Sequence, residues 1–343
     1  MSNATAEVPL TSTMQGYYHW VDIAKGLGVI LVLLGHMLYI TTFDTLNQVI
    51  YSFHVPMYFA LSGMLLKSSS KGFWQYTWEK ALRILIPAYA LQILLTGLRV
   101  VIWRDVAFDT EFWLKLAYWD GAPKWNEPTW FFICMFGVCL LQKIIHLPEM
   151  SMDWRIAVML MSIVLGYVFV TYELHYFGAA NFLICFSSFI LGSVLMHIIQ
   201  TYPRQYFKWI LLGALLVWGV TAFRNPKISL FYHVYADYWL LIIAAVAGTI
   251  ASILLSYFTP ASRICTFLSY NTVFIMLSHY FFVWIYKSII LRCHLEKTED
   301  ANCWCLVTLV VMLALYYPLC RAINRWCPFL NGRAKALKSS LVS

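Results

Sequence analysis

The feature that most constrains this chain is the recurrence, from one end to the other, of apolar runs separated by short polar stretches. Each run is long enough, at about 20 residues, to cross the roughly 30 Å hydrocarbon core of a bilayer. Lipid offers backbone N–H and C=O groups no partner, so such runs must be helices. Of the 343 residues, 61% are hydrophobic and 12% charged, about half the charged share of a soluble domain. The runs fall at 20–40, 49–66, 84–102, 129–145, 156–172, 181–199, 207–222, 237–257, 264–287 and 303–320. They predict an all-α, polytopic integral membrane bundle of about ten transmembrane helices, with no stretch left for a separate soluble domain. The run from Trp20 lacks a small-residue cleavage signature. It reads as a retained first span behind a short polar tail, 1–16, expected to be disordered.

The net charge of +8 does not point to nucleic acid, because the basic residues sit at span ends and in short loops rather than in one block. Lys67, Lys71, Lys80, Arg83, Lys143, Arg155, Arg204, Lys208, Arg263, Arg321, Arg325, Arg333, Lys335 and Lys338 fall on one face. Most acids, including Asp105, Glu111, Asp120, Glu127, Glu296 and Asp300, fall on the other. The positive-inside rule then predicts both termini cytoplasmic, with a basic tail over 321–343. The loop at 103–129 is rich in aromatics (Phe108, Phe112, Trp113, Tyr118, Trp119, Trp125). An interfacial belt is the simpler reading; a lid suited to sugar rings is the other. Of nine cysteines, Cys134, Cys139, Cys185 and Cys265 lie inside apolar runs as small hydrophobes. Cys293, Cys303 and Cys305 border one loop, which leaves a disulfide among them open.

Ionisable groups inside a span are costly, and the first span holds three: Asp22, Lys25 and His36. Eleven steps along a helix put Lys25 and His36 on one face about 16 Å apart, with Asp22 on the same stripe and able to pair with Lys25. An imidazole with a pKa near neutrality suits a general base acting on a hydroxyl. A histidine bonding a neighbouring helix is the bland alternative, and the aligned charges weigh against it. In the second span, Pro56 is expected to open the helix and free a carbonyl, with His54 either lining the resulting cavity or facing the outer interface. Lys80 and Arg83, three apart, are expected on one helical face where they suit a phosphate.

Taken together, Asp22-Ile23-Ala24-Lys25-Gly26 with His36, Phe53-His54-Val55-Pro56 with Leu61-Ser62-Gly63, and Lys80-Ala81-Leu82-Arg83 with Pro87 resemble the membrane acyltransferase-3 family. The branch they are most similar to is the fucose 4-O-acetylase-like one. The likeness is strong over roughly the first ninety residues. It is weaker at Pro128-Thr129-Trp130-Phe131 and at Ser269-Tyr270-Asn271 with His279. The family's basic-x10-histidine element usually opens with arginine and here opens with Lys25, which loses the guanidinium's bidentate grip.

The resemblance implies a single membrane-embedded acyltransferase domain over 1–343, multi-pass in the cell membrane, the bacterial inner membrane. It would take acetyl from cytoplasmic acetyl-CoA, without a metal, and pass it to a hydroxyl of a surface glycan or its lipid-linked precursor. His36 would be catalytic; Lys25, Arg83 and Lys80 would bind the coenzyme. Asp22, His54, Trp130 and His279 would serve the acceptor or pocket. The chain has no Walker-type loop, no His-Glu-x-x-His helix and no clustered cysteine-histidine spacing, which argues against an ATPase or a zinc enzyme. The reading from a different class is a proton-coupled transporter or flippase built on the same Asp22, Lys25 and His36.

Overall fold

In a computed structural model the chain is described over residues 18–102, 104, 107–118, 120–121, 126–225 and 228–333. The tail at 1–16, the loop residues Asp105, Trp119 and Trp125, and the basic residues Lys335 and Lys338 lie outside the described residues. What is described is helical, with one isolated bridge, Ser229 to Val234, and no strand.

The helices, in chain order, are α1 His19–Leu38, α2 Asp44–Tyr51, α3 His54–Met64, α4 Phe73–Lys80, α5 Ile86–Ile102, α6 Thr110–Leu116 and α7 Thr129–Ile144. They continue as α8 Met152–Thr171, α9 Ala179–Thr201, α10 Phe207–Arg224, α11 Tyr238–Phe258, α12 Arg263–Tyr270, α13 Thr272–Arg292 and α14 Glu299–Trp326. Eight helical segments among the described residues are long and apolar enough to cross a bilayer. The two other expected runs behave differently. The 129–145 run forms α7, of 16 residues, and the 49–66 run breaks into α2 and α3, of 8 and 11 residues.

That break lies at Ser52 and Phe53, upstream of Pro56. Phe53 leaves helical geometry at φ −146°, whereas Pro56 sits in the first turn of α3, where its missing N–H would have had no acceptor anyway. The short α3 is held instead by α9, through a crossing of small residues. A Cβ on Gly63 would strike the Phe189 carbonyl, and one on Gly192 the Ala60 carbonyl. Close backbone approach of this kind is how helices associate where lipid removes the hydrophobic drive.

A π-turn over Ala81–Leu85 joins α4 to α5. Pro87 has no N–H to give to the Arg83 carbonyl, and the local bonding widens to i→i+5. The expected basic tail from 321 begins inside α14, which continues to Trp326. Beyond it, buried Asn331 bonds Asn271, Asn324 and the Tyr270 carbonyl, and the Arg333 guanidinium lies 3.6 Å from the Tyr270 ring centroid.

The connectors gather at two ends. At one end Ser269 meets Asp22, Gln200 meets Tyr18, and Ser68 meets Glu149. At the other, Asn302 meets Thr42, Tyr232 meets Glu127, and His233 meets the Asp120 carbonyl. The connectors at the first, basic end include Lys67, Lys71 and Arg204. All nine cysteines, Cys293, Cys303 and Cys305 included, are free thiols. In the 103–129 loop, α6 is capped by the Asp109 side chain, Trp113 is exposed and Tyr118 is buried.

Candidate active site

Helix α1 lies at the centre, packed against α3, α11, α12 and α13. It is unbroken from His19 to Leu38, so the eleven-residue rise of about 16 Å from Lys25 to His36 survives intact. His36 lies in the last turn of α1, half-buried near the acidic end. Around it stand groups from three other elements. The His279 ring lies 5.0 Å away between centroids, the Tyr280 ring 5.4 Å edge-on, and the Tyr51 hydroxyl 3.5 Å from Nδ1. His54 is close enough to act on His36 electrostatically, and its ring meets Tyr51 at 5.0 Å.

The tautomers of two of these imidazoles follow from their partners. His54 Nδ1 lies 2.8 Å from the Ile50 carbonyl, beside the α2–α3 break. A carbonyl only accepts, so Nδ1 carries the hydrogen and Nε2 keeps a bare lone pair. The carbonyl that Pro56 would leave without its donor is that of Ser52, four residues earlier; the Ile50 carbonyl is a different one, and it also accepts from the Phe53 N–H at 3.3 Å. His279 Nδ1 donates in the same way to the Met276 carbonyl at 2.9 Å. Its Nε2, in a side chain with no exposure, has no hydrogen-bond partner among the described residues.

Sequence reasoning missed a second polar group beside this one. Half-buried Glu127, just before α7, accepts from the Tyr232 hydroxyl at 3.0 Å and is hydrogen-bonded to Tyr280. Lys287 is near enough to interact with both Glu127 and His36, and its ammonium lies 5.7 Å from the ring centroids of Tyr39 and Tyr280. Tyr232 lies in a connector outside the spans. Burial, reinforced by Glu127, pushes its phenol pKa up, so it remains a donor. Glu127 had counted only as an outer-loop acid. The one signal that singles it out is its place directly before Pro128-Thr129-Trp130-Phe131.

At the basic end, Asp22 accepts from Ser269 Oγ at 2.6 Å and interacts with Lys25 across one helical turn. The Tyr58 hydroxyl donates to the Lys25 carbonyl at 2.9 Å. Lys80 and Arg83, expected three apart on an α-helix, are joined through the π-turn, whose wider turn changes the angle between them. The Lys80 ammonium is 5.3 Å from the Tyr76 ring centroid, with Lys143 on the same ring at 5.8 Å, whereas Arg83 is exposed. Trp130 is buried, with Phe131 as its ring neighbour at 6.4 Å. The histidines at 36, 54 and 279 are thus brought together, while Lys25, Lys80 and Arg83 lie toward the opposite end. Among the described residues no cluster of three His, Cys, Asp or Glu side chains is arranged to hold a metal ion.

An imidazole cluster at one end and cationic groups at the other suit transfer between an anionic donor and a hydroxyl-bearing acceptor. The chain matches the acyltransferase-3 family model, described as an acyltransferase domain, over residues 18–326, and it belongs to that family. No curated protein and no solved structure matches it significantly. With eight helices able to cross a bilayer, the class is a membrane acyltransferase.

Proposed function

We propose that the protein is an O-acetyltransferase of the cell membrane, the inner membrane of a bacterium. It takes acetyl from acetyl-CoA at the basic, cytoplasmic end. It passes the acetyl to a hydroxyl of a surface glycan, or of its lipid-linked precursor, at the acidic end. The observation that carries this reading is the position of His36. It stands in the last turn of an unbroken helix that bears Lys25 about 16 Å below, among polar side chains rather than lipid.

His36 takes the proton of the acceptor hydroxyl as that oxygen attacks the thioester carbonyl. The carbon–sulfur bond breaks, and the proton passes on to the departing thiolate, so the imidazole is returned neutral. Lys25, Lys80 and Arg83 are the cationic groups that would hold the coenzyme phosphates, with Lys143 beside Lys80 adding a fourth. Asp22 holds Lys25 in place. His54 and His279, with tautomers set by the Ile50 and Met276 carbonyls, present lone pairs near the reacting hydroxyl.

Mass spectrometry of surface polysaccharide from cells with and without the protein tests the activity. A loss of 42 mass units per acetyl, roughly, is expected from the glycan of the deficient strain. An unchanged glycan profile, together with no acetyl-CoA turnover by purified protein, would favour a transporter or flippase.

A further inference from the structure

Helix α2 has 8 residues, too few to span a bilayer, and buries only Ile50. Polar contacts hold it in place instead. The Asn47 amide donates to the Gly35 carbonyl of α1 at 2.9 Å, and the Gln48 amide to the Ala222 carbonyl of α10 at 2.6 Å. Only residues 39–43 separate α1 from α2, so α2 folds back onto the last turn of α1. Gly35 makes that fit possible, because a Cβ there would lie 3.2 Å from the Tyr51 ring and 3.3 Å from Ile50. The glycine just before His36 thus seats the ring of Tyr51, whose hydroxyl reaches His36 Nδ1 at 3.5 Å. The two rings meet edge-on at 6.2 Å between centroids.

A single hydrogen lies between these two atoms, and its owner decides what His36 can do. If Tyr51 donates, the neutral imidazole carries its own hydrogen on Nε2, and neither nitrogen has a lone pair to spare. If Nδ1 donates to the Tyr51 oxygen, Nε2 is bare and can take a proton. Two observations favour the second arrangement. Groups acting on His36 are His279, Lys287 and His54, whereas the Glu127 carboxylate acts on Tyr51. A negative charge draws the hydroxyl hydrogen toward itself and leaves the oxygen lone pairs for His36. An Nε2–H would also find no acceptor in His279, whose ring lies 5.0 Å away but whose Nε2 has no hydrogen-bond partner among the described residues. The 3.5 Å separation is long for such a bond, as catalytic hydrogen bonds often are before substrate closes the site.

We propose that Tyr51 is the positioning residue of His36: its oxygen accepts from Nδ1–H, which fixes the tautomer that leaves Nε2 as the base, while its own hydrogen turns toward Glu127. The inference rests on the acetyltransferase reading for its catalytic meaning; the tautomer itself does not. During transfer Nε2 takes the proton of the acceptor hydroxyl, Nδ1–H stays on the Tyr51 oxygen, and the imidazolium faces a hydroxyl dipole aligned by a carboxylate. Nε2 then gives its proton to the departing thiolate, so Tyr51 ends each cycle unchanged.

Nitrogen NMR of the full-length protein in detergent, labelled in its histidine rings, reports which nitrogen of each imidazole carries hydrogen and needs no acyl donor. The His36 signals are those lost in His36→Gln. His36 is expected as the Nδ1–H form in the parent and to shift toward the Nε2–H form in Tyr51→Phe, which keeps the ring seated on Gly35. A merely structural role of Tyr51 would leave the tautomer alone. In transfer assays Tyr51→Phe is expected to lower kcat about tenfold or more while the acetyl-CoA KM holds. An Nε2–H form in the parent, or an Nδ1–H form kept in Tyr51→Phe, overturns the inference. Should His36→Ala transfer acetyl normally while the tautomer still follows Tyr51, the catalytic reading falls and the pairing stands. Should His36→Ala abolish transfer while the tautomer ignores Tyr51, the catalytic reading stands and the pairing falls.

Discussion

The rings of His36 and His279, from the first and the next-to-last of the long helices, lie 5.0 Å apart between centroids. One ring is half open and the other fully enclosed with its tautomer set by Met276. An accessible base backed by a fixed, neutral acceptor is what proton removal from an alcohol needs. His279→Ala is therefore expected to lower kcat by about tenfold or more while the acetyl-CoA KM holds. His279→Gln, which can still accept a hydrogen bond, should recover part of the loss. Steady-state kinetics on both variants checks this.

Donor binding should depend on the other end of α1. Lys25→Met removes the charge that Asp22 faces and is expected to raise the acetyl-CoA KM about tenfold or more, leaving glycoside binding unaltered. Lys25→Arg restores the charge with a forked donor and should bring the KM back toward that of the parent. Initial rates over a range of acetyl-CoA concentrations distinguish the two.

The α3–α9 crossing sets a stability prediction. A methyl at Gly63 meets the Phe189 backbone rather than a movable side chain, so Gly63→Ala should cost about 3 kcal/mol. Gly97, in α5, has nothing within 4 Å of the added Cβ. Gly97→Ala should gain up to about 1 kcal/mol from helix propensity. Thermal unfolding in detergent should separate the two changes in sign.

The connectors at the acidic end should weaken in acid. His233, in the connector before α11, donates from Nε2 to the Asp120 carbonyl at 2.8 Å and stacks on His175 at 4.6 Å. Burial holds its pKa below the usual value; the Asp120 contacts pull it back, and the neighbouring His175 and Lys115 push it down. The unfolded chain takes up this proton at about pH 6.5 and the folded one only at lower pH. Stability contributed by the neutral ring is thus full above pH 6.5 and lost as pH falls through the folded value. Melting curves between pH 8 and pH 5, roughly, should fall more steeply for the parent than for His233→Gln.

What could be read from the amino acids was whatever one helix carries by itself. Lys25 and His36 needed only a continuous α1, and eight of the apolar runs overlap membrane-length helices because their span follows from length and composition, although the 264–287 run divides at Asn271 into α12 and α13. Elements with a tertiary cause were not legible. The α2–α3 break depends on the seat of α3 against α9 through Gly63 and Gly192, and the spacing of Lys80 and Arg83 on a π-turn that Pro87 imposes. Glu127 stands just before α7, Tyr51 ends α2, and Tyr280 and Lys287 both lie on α13, so these groups meet His36 only when α1, α2, α7 and α13 are assembled. No spacing in the sequence records that meeting.

The most direct measurement is transfer of radiolabelled acetyl from acetyl-CoA to a methyl hexopyranoside. It should be made in sealed vesicles with acetyl-CoA on the face bearing Lys80 and the glycoside on the other, comparing the parent with His36→Ala. The account requires labelled glycoside to form with the parent and to fall by about a hundredfold or more in the variant, with melting temperature unchanged. Label reaching the glycoside at the same rate without the imidazole would contradict it.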